Sequence, residues 1–80
     1  MSVDTMNLTK LVRSQIARRA VDTSLLSVNV VGGVVHLIGV LRPIRGNPNI
    51  DLKEEMNHIT SILRQKAGIR EVVWDVSLRV

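Results

Sequence analysis

Nineteen consecutive residues, Thr23 to Leu41, carry no fixed charge, and Gly32-Gly33 divides them near the middle. A run of this length approaches what a helix needs to span a bilayer. Its composition argues for something else, because it is Val-rich and interrupted by Ser24, Ser27, Asn29 and His36. Ser27-Val28-Asn29-Val30 alternates polar and apolar residues, the period of a strand. Two Val-rich strands joined by Gly-Gly make a hairpin, since Gly32 and Gly33 accept the positive φ that a tight turn demands. The expected strands cover residues 26–31 and 34–41. In the second, Val35, Leu37, Gly39 and Leu41 form one row, and Val34, His36, Ile38 and Val40 form the other. Gly39 inside a strand costs stability and marks a bulge or the close approach of another backbone.

Helical periodicity flanks the hairpin. Leu8, Leu11, Val12, Ile16 and Ala20 recur at spacings of three and four, which predicts a helix from about Met6 to Ala20. Lys10, Arg13 and Arg18 fall on or beside its opposite arc, and Arg19 is expected to lay its stem along the rim of the apolar stripe with its guanidinium in water. Residues 42–50, with Pro43, Gly46 and Pro48, read as a loop. Asp51-Leu52-Lys53-Glu54 then resembles a capping box, and Leu52, Met56, Ile59, Ile62, Leu63 and Ala67 build a second stripe that Gly68 terminates. The third strand is the clearest: Val72, Trp74, Val76, Leu78 and Val80 alternate with Val73, Asp75, Ser77 and Arg79.

The order is α-β-β-α-β in one domain spanning residues 1–80. Two amphipathic helices on one face of a three-stranded sheet bury both stripes in a single core, an α+β two-layer sandwich. A core of this size supplies only about 3–5 kcal/mol, so a partner surface is worth seeking. With Val35 and Leu37 turned toward the helices, Val34, Ile38 and Val40 turn away beside His36, with Val31 and Val73 as neighbours. A freely solvated face alternates to polar residues, and this one does not along its middle strand. Homo-oligomerisation or docking on a larger partner is the expectation for that face.

Charge is lopsided. Up to Arg45 there are six basic and two acidic residues, and from Gly46 onward five of each. Anionic partners should therefore meet the first half of the chain. The chain has no cysteine, which excludes thiol catalysis and the usual structural zinc sites. Its first residues lack a basic segment leading into an apolar one, so no secretory signal is expected and a cytoplasmic location is.

The hairpin from Leu26 to Gly39, with its Gly turn followed by Val-Val-x-Leu-x-Gly, resembles the signature of the BON domain, the bacterial osmotic-induction and nodulation module. Gly39 falls on that family's hallmark glycine. Ala67-Gly68-Ile69-Arg70-Glu71-Val72-Val73 is similar to its exit from the second helix into the last strand. The resemblance runs from about Leu8 to Val80 and departs over residues 42–51, where the family has a shorter link, and in the lack of an export signal. Ring-building domains of secretion and sporulation machines share the element order. The resemblance implies a non-catalytic binding module associated with phospholipid membranes and the cell envelope, without a cofactor, and it offers no catalytic residues.

The residues themselves point the same way. His36 and His58 lie on different elements with no metal spacing between them, and no nucleophile-elbow spacing exists. Glu54-Glu55 suits the dipole of a first helical turn. No two glycines are three apart, so the clamp of KH-type RNA binders is lacking, and one Trp gives no stacking platform for bases. Specific nucleic-acid binding is not expected. For a membrane surface, Arg42 and Arg45 flank Ile44 on a Pro-stiffened loop, and Lys10, Arg13 and Arg18 add cations. Peripheral attachment to anionic phospholipid, or to an envelope protein, uses those six residues. Assembly uses Val34, His36, Ile38, Val40 and Val73, and Gly32, Gly33, Gly39 and Gly68 serve the backbone.

Overall fold

Helix α1 (Ser2–Ala17), strands β1 (Val21–Asp22), β2 (Leu26–Val31) and β3 (Val34–Pro43), helix α2 (Leu52–Arg64) and strand β4 (Glu71–Leu78) follow one another in the computed structural model. It describes residues 2–46 and 49–79, with side chains from Asn7 onward. The architecture is α+β, two helices on one face of a single sheet, with Val12 and Ile16 of α1 and Leu52, Ile59 and Leu63 of α2 buried against Val30, Val35, Leu37 and Leu41.

The sheet has four strands where three were expected, and the element order is α-β-β-β-α-β. Strand β3 is its axis. β2 pairs antiparallel with it from Leu26↔Gly39 to Val31↔Val34, and β4 pairs parallel from Val34↔Glu71 to Leu41↔Leu78. The added strand β1 pairs Val21↔Pro43 and Asp22↔Arg42. With it α1 ends at Ala17, three residues short of its expected end, and the chain reaches Val21 extended and buries it. Likewise β3 runs on through Arg42 and Pro43, which were expected to begin the loop.

β1 and β2 lie along the same edge of β3. Val40 N–H donates to Leu25 O (3.0 Å) and Ile44 N–H to Ala20 O (3.2 Å), and residues an even number apart on a strand direct their amides to one side. Between Asp22 and Leu26 the chain spends one more residue than β3 does between Arg42 and Gly39, which makes a bulge. The bulge brings the Leu25 carbonyl onto the Gly39 backbone, whose φ is +127°. At the hairpin, Gly32 (φ 58°) and Gly33 (φ 81°) both take positive φ, as a two-residue turn with the twist of its strands requires.

Helix α2 opens at the expected N-cap: the Asp51 carboxylate accepts from the N–H groups of Lys53 and Glu54 at 3.1 and 3.2 Å, the Asp51 half of the capping box. It closes earlier than expected. Gln65 is the C-cap and its N–H and that of Lys66 turn to Ile62 O and Leu63 O, so Gly68 (φ 91°) serves the following turn, not the helix stop. Trp74 is half-buried against the core, and its indole N–H donates to Thr60 Oγ1 at 2.8 Å, tying α2 to β4. Arg19, just past α1, reaches Glu55 of α2 through two bonds of 2.9 and 3.1 Å, which hold its guanidinium in the charged form more firmly than usual. Its head group therefore clamps the two helices instead of standing free in water. Asn47, Pro48 and Val80, and the side chain of Met6, lie outside the described residues.

Candidate functional site

The parallel and antiparallel registers decide which side chains share the sheet face left uncovered by the helices. Across it run the rows Val31–Val34–Glu71, Asn29–His36–Val73 and Ser27–Ile38–Asp75, followed by Val40–Ser77 and Asp22–Arg42. Val31 and Ile38 are 61% and 44% exposed, while Val34, His36, Val40 and Val73 are half-buried. The aliphatic character runs along β3 and widens to Val31 on β2 and Val73 on β4. Ser27 and Asn29 border it on β2, and Glu71, Asp75 and Ser77 border it on β4.

The stripe leads into an open groove of about 640 Å³ at the end of β3, lined by Leu25, Val40, Arg42, Pro43, Ile44, Arg45, Gly46 and Arg79. Leu25 is 53% and Ile44 43% exposed. Three guanidinium groups thus stand around two solvent-facing aliphatic side chains. The expected trio Arg42, Ile44 and Arg45 is assembled here, and the register of β4 adds Arg79 while the bulge adds Leu25. Neither addition was legible from spacing, because Leu25 lies in a turn and Arg79 is 34 residues from Arg45 in the chain.

The helix-borne bases do not join this groove. Lys10, Arg13 and Arg18 are exposed on or just beyond α1, in the layer covering the opposite face of the sheet. Arg13 lines a separate crevice of about 200 Å³ with Ile16, Ala17, Thr23, Leu26 and Val28. The single six-residue surface expected from the sequence is therefore divided in two.

Within the groove Arg42 is already engaged. Its Nε donates to Asp22 Oδ2 at 2.7 Å and its Nη2 to Ser24 Oγ at 3.4 Å. Asp22 Oδ1 accepts the Ser24 N–H at 2.9 Å. Bonds from the Ser24 backbone and side chain, and then from Arg42, hold the Asp22 carboxyl down at about 2, against an ordinary 3.8. A carboxyl more acidic in the folded chain than in the unfolded one stabilises the fold above its ordinary pKa, and that contribution is lost as pH falls through about 2. An NMR titration should place the Asp22 midpoint near 2, and Arg42→Ala should move it upward toward the ordinary value.

Arg45 and Arg79 have no acidic partner within ion-pair distance among the described residues. They are the groove's available cations. His36 sits in the open face between Asn29 and Val73, and His58 is exposed on α2. Among the described residues no three His, Asp or Glu gather as metal ligands. Among the described residues no helix is long and apolar enough to cross a membrane. No protein-family model, no curated protein and no solved structure matches the chain.

Proposed function

We propose that this domain is a non-catalytic binding module of BON type that attaches peripherally to anionic phospholipid through the groove at the end of β3. The observation that carries the reading is the placement of exposed Leu25 and Ile44 among Arg42, Arg45 and Arg79. Aliphatic tips enter the interfacial region of a bilayer while neighbouring cations meet phosphates, each near-surface charge being worth about 1 kcal/mol. The α+β architecture, with two helices on one face of a sheet, is compatible with the plan that the resemblance implies, to which β1 adds a strand.

Assembly through the aliphatic open face fits less well. A stable interface needs about 800 Å² from each partner. The aliphatic stripe along β3 widens only at Val31 and Val73, and Ser27, Asn29, Glu71, Asp75 and Ser77 make the rest of the face polar.

Co-sedimentation with vesicles tests the lipid reading. Arg45→Glu removes one favourable charge and adds an unfavourable one, so partitioning onto anionic vesicles should fall by about 2 kcal/mol, on the order of 30-fold. Ile44→Ser should weaken it as well, and 0.5 M salt should release the wild type. Lys10→Glu, on the other layer, should change it less than about threefold, since a charge beyond a Debye length is screened. Binding to anionic vesicles that ignores salt and Arg45→Glu alike contradicts the proposal.

A further inference from the structure

We propose that a second copy of this chain pairs with the outer edge of β4, antiparallel and centred on Ser77. The inference concerns the strand edge beside the lipid groove, with which it shares Arg79 alone, and it does not rest on that reading.

The two edges of the sheet are not equivalent. One is formed by β1 and β2 and is broken by the bulge at residues 23–25. The other is β4, eight residues without proline, paired with β3 along its whole length and with no strand on its far side among the described residues. Bulges, prolines and charged side chains are among the devices that keep strand edges from pairing. The first edge has a bulge, whereas β4 has neither bulge nor proline and its charges are of both signs, Glu71, Asp75 and Arg79. On β4, Glu71 N–H turns to Gly33 O and Arg79 N–H to Leu41 O at 2.9 Å. Odd-numbered residues therefore bond to β3, and Val72, Trp74, Val76 and Leu78 direct their N–H and C=O groups outward.

The charges on this strand suit a second copy of itself. Asp75 and Arg79 are four apart, so both project from the open face, and both are exposed. An antiparallel pairing centred on Ser77 sets each Asp75 directly opposite the Arg79 of the other copy, twice. Opposite charges so placed stabilise a sheet pair and like charges destabilise it. The same register bonds Val76 to Leu78 of the other copy with outward-facing groups on both sides, and it covers Leu78, an apolar side chain left 36% exposed on the helix-bearing face. Centring on Asp75 instead would set that carboxylate against its own copy. The pairing is isologous, with its two-fold axis perpendicular to the sheet, so it closes at a dimer. Both open faces then look the same way and present two grooves to one plane.

Light scattering on the full chain provides the test, with Trp74 fluorescence and circular dichroism confirming that each variant is folded. At about 1 mM the wild type should show twice the mass of 8.9 kDa and dissociate on dilution. Asp75→Arg and Arg79→Asp should each be monomeric, because each puts like charges opposite one another. An equimolar mixture of the two should recover the double mass, as should Asp75→Arg/Arg79→Asp in one chain. A monomeric wild type at that concentration, single reversals that leave the mass unchanged, or a mixture that stays monomeric would each overturn the proposal. Ile44→Ser and Arg45→Glu should leave the mass as it is, so failure here and failure of the lipid reading are told apart.

Discussion

Gly39→Ala is expected to leave the chain without a cooperative unfolding transition at 25 °C. Gly39 holds a φ of +127°, where an L side chain is strained wherever it points. A Cβ there would also overlap the carbonyl oxygen of Leu25, which is backbone and has no rotamer by which to withdraw. Leu25 can retreat only if the bulge opens, and that removes the bond from Val40 N–H to Leu25 O. β1 and the Asp22–Arg42 pair hang on the same bulge. Strain and a lost backbone bond together come to about 3 kcal/mol or more, against about 3–5 kcal/mol for a core of this size. Urea titration followed by Trp74 fluorescence measures it. A variant that unfolds with wild-type midpoint and slope would mean that the bulge does not close on Gly39.

The second large effect separates the two faces of one strand. Leu37 is wholly buried, with Val28 beside it on β2 and Trp74 on β4. Leu37→Ala should cost about 2–5 kcal/mol, the transfer free energy of the removed atoms plus the cavity left behind. Ile38, the next residue, is 44% exposed on the other side of the sheet. Ile38→Ala should stay within about 0.5 kcal/mol, as surface substitutions do. The contrast between adjacent residues reports the orientation of β3 directly, because a slip of one register position would exchange their roles. Equal losses at both positions would show that the open face is covered.

How far the fold can be read from the sequence depends on the range of the interaction involved. The hairpin and β4 declare themselves through period-two alternation, and α2 through Asp51 and its apolar stripe, all local signals. Strand β1 does not, since Val21-Asp22 is too short to carry a period and exists only because Arg42 and Pro43 offer an edge. The end of α1 moves for the same reason. A helical pattern continues in the side chains as far as Ala20, but extended pairing at Val21 claims the backbone first. The ion pair of Arg19 with Glu55 spans 36 positions and leaves no trace in spacing. Of the groove, Arg42, Ile44 and Arg45 are legible as a loop cluster. Leu25 enters through the bulge and Arg79 through the parallel crossover, both products of tertiary register. The separation of Lys10, Arg13 and Arg18 from that cluster is likewise a fact about layers, which charge counting along a chain does not capture.

The most direct measurement of the central claim is an NMR titration of the labelled domain with bicelles containing anionic lipid. Resonances of Leu25, Val40, Ile44, Arg45 and Arg79 should shift or broaden first, and those of Lys10, Arg13 and Arg18 should follow only weakly. Perturbation centred on α1, or a spectrum indifferent to the lipid's charge, would contradict a membrane-facing role for the groove at the end of β3.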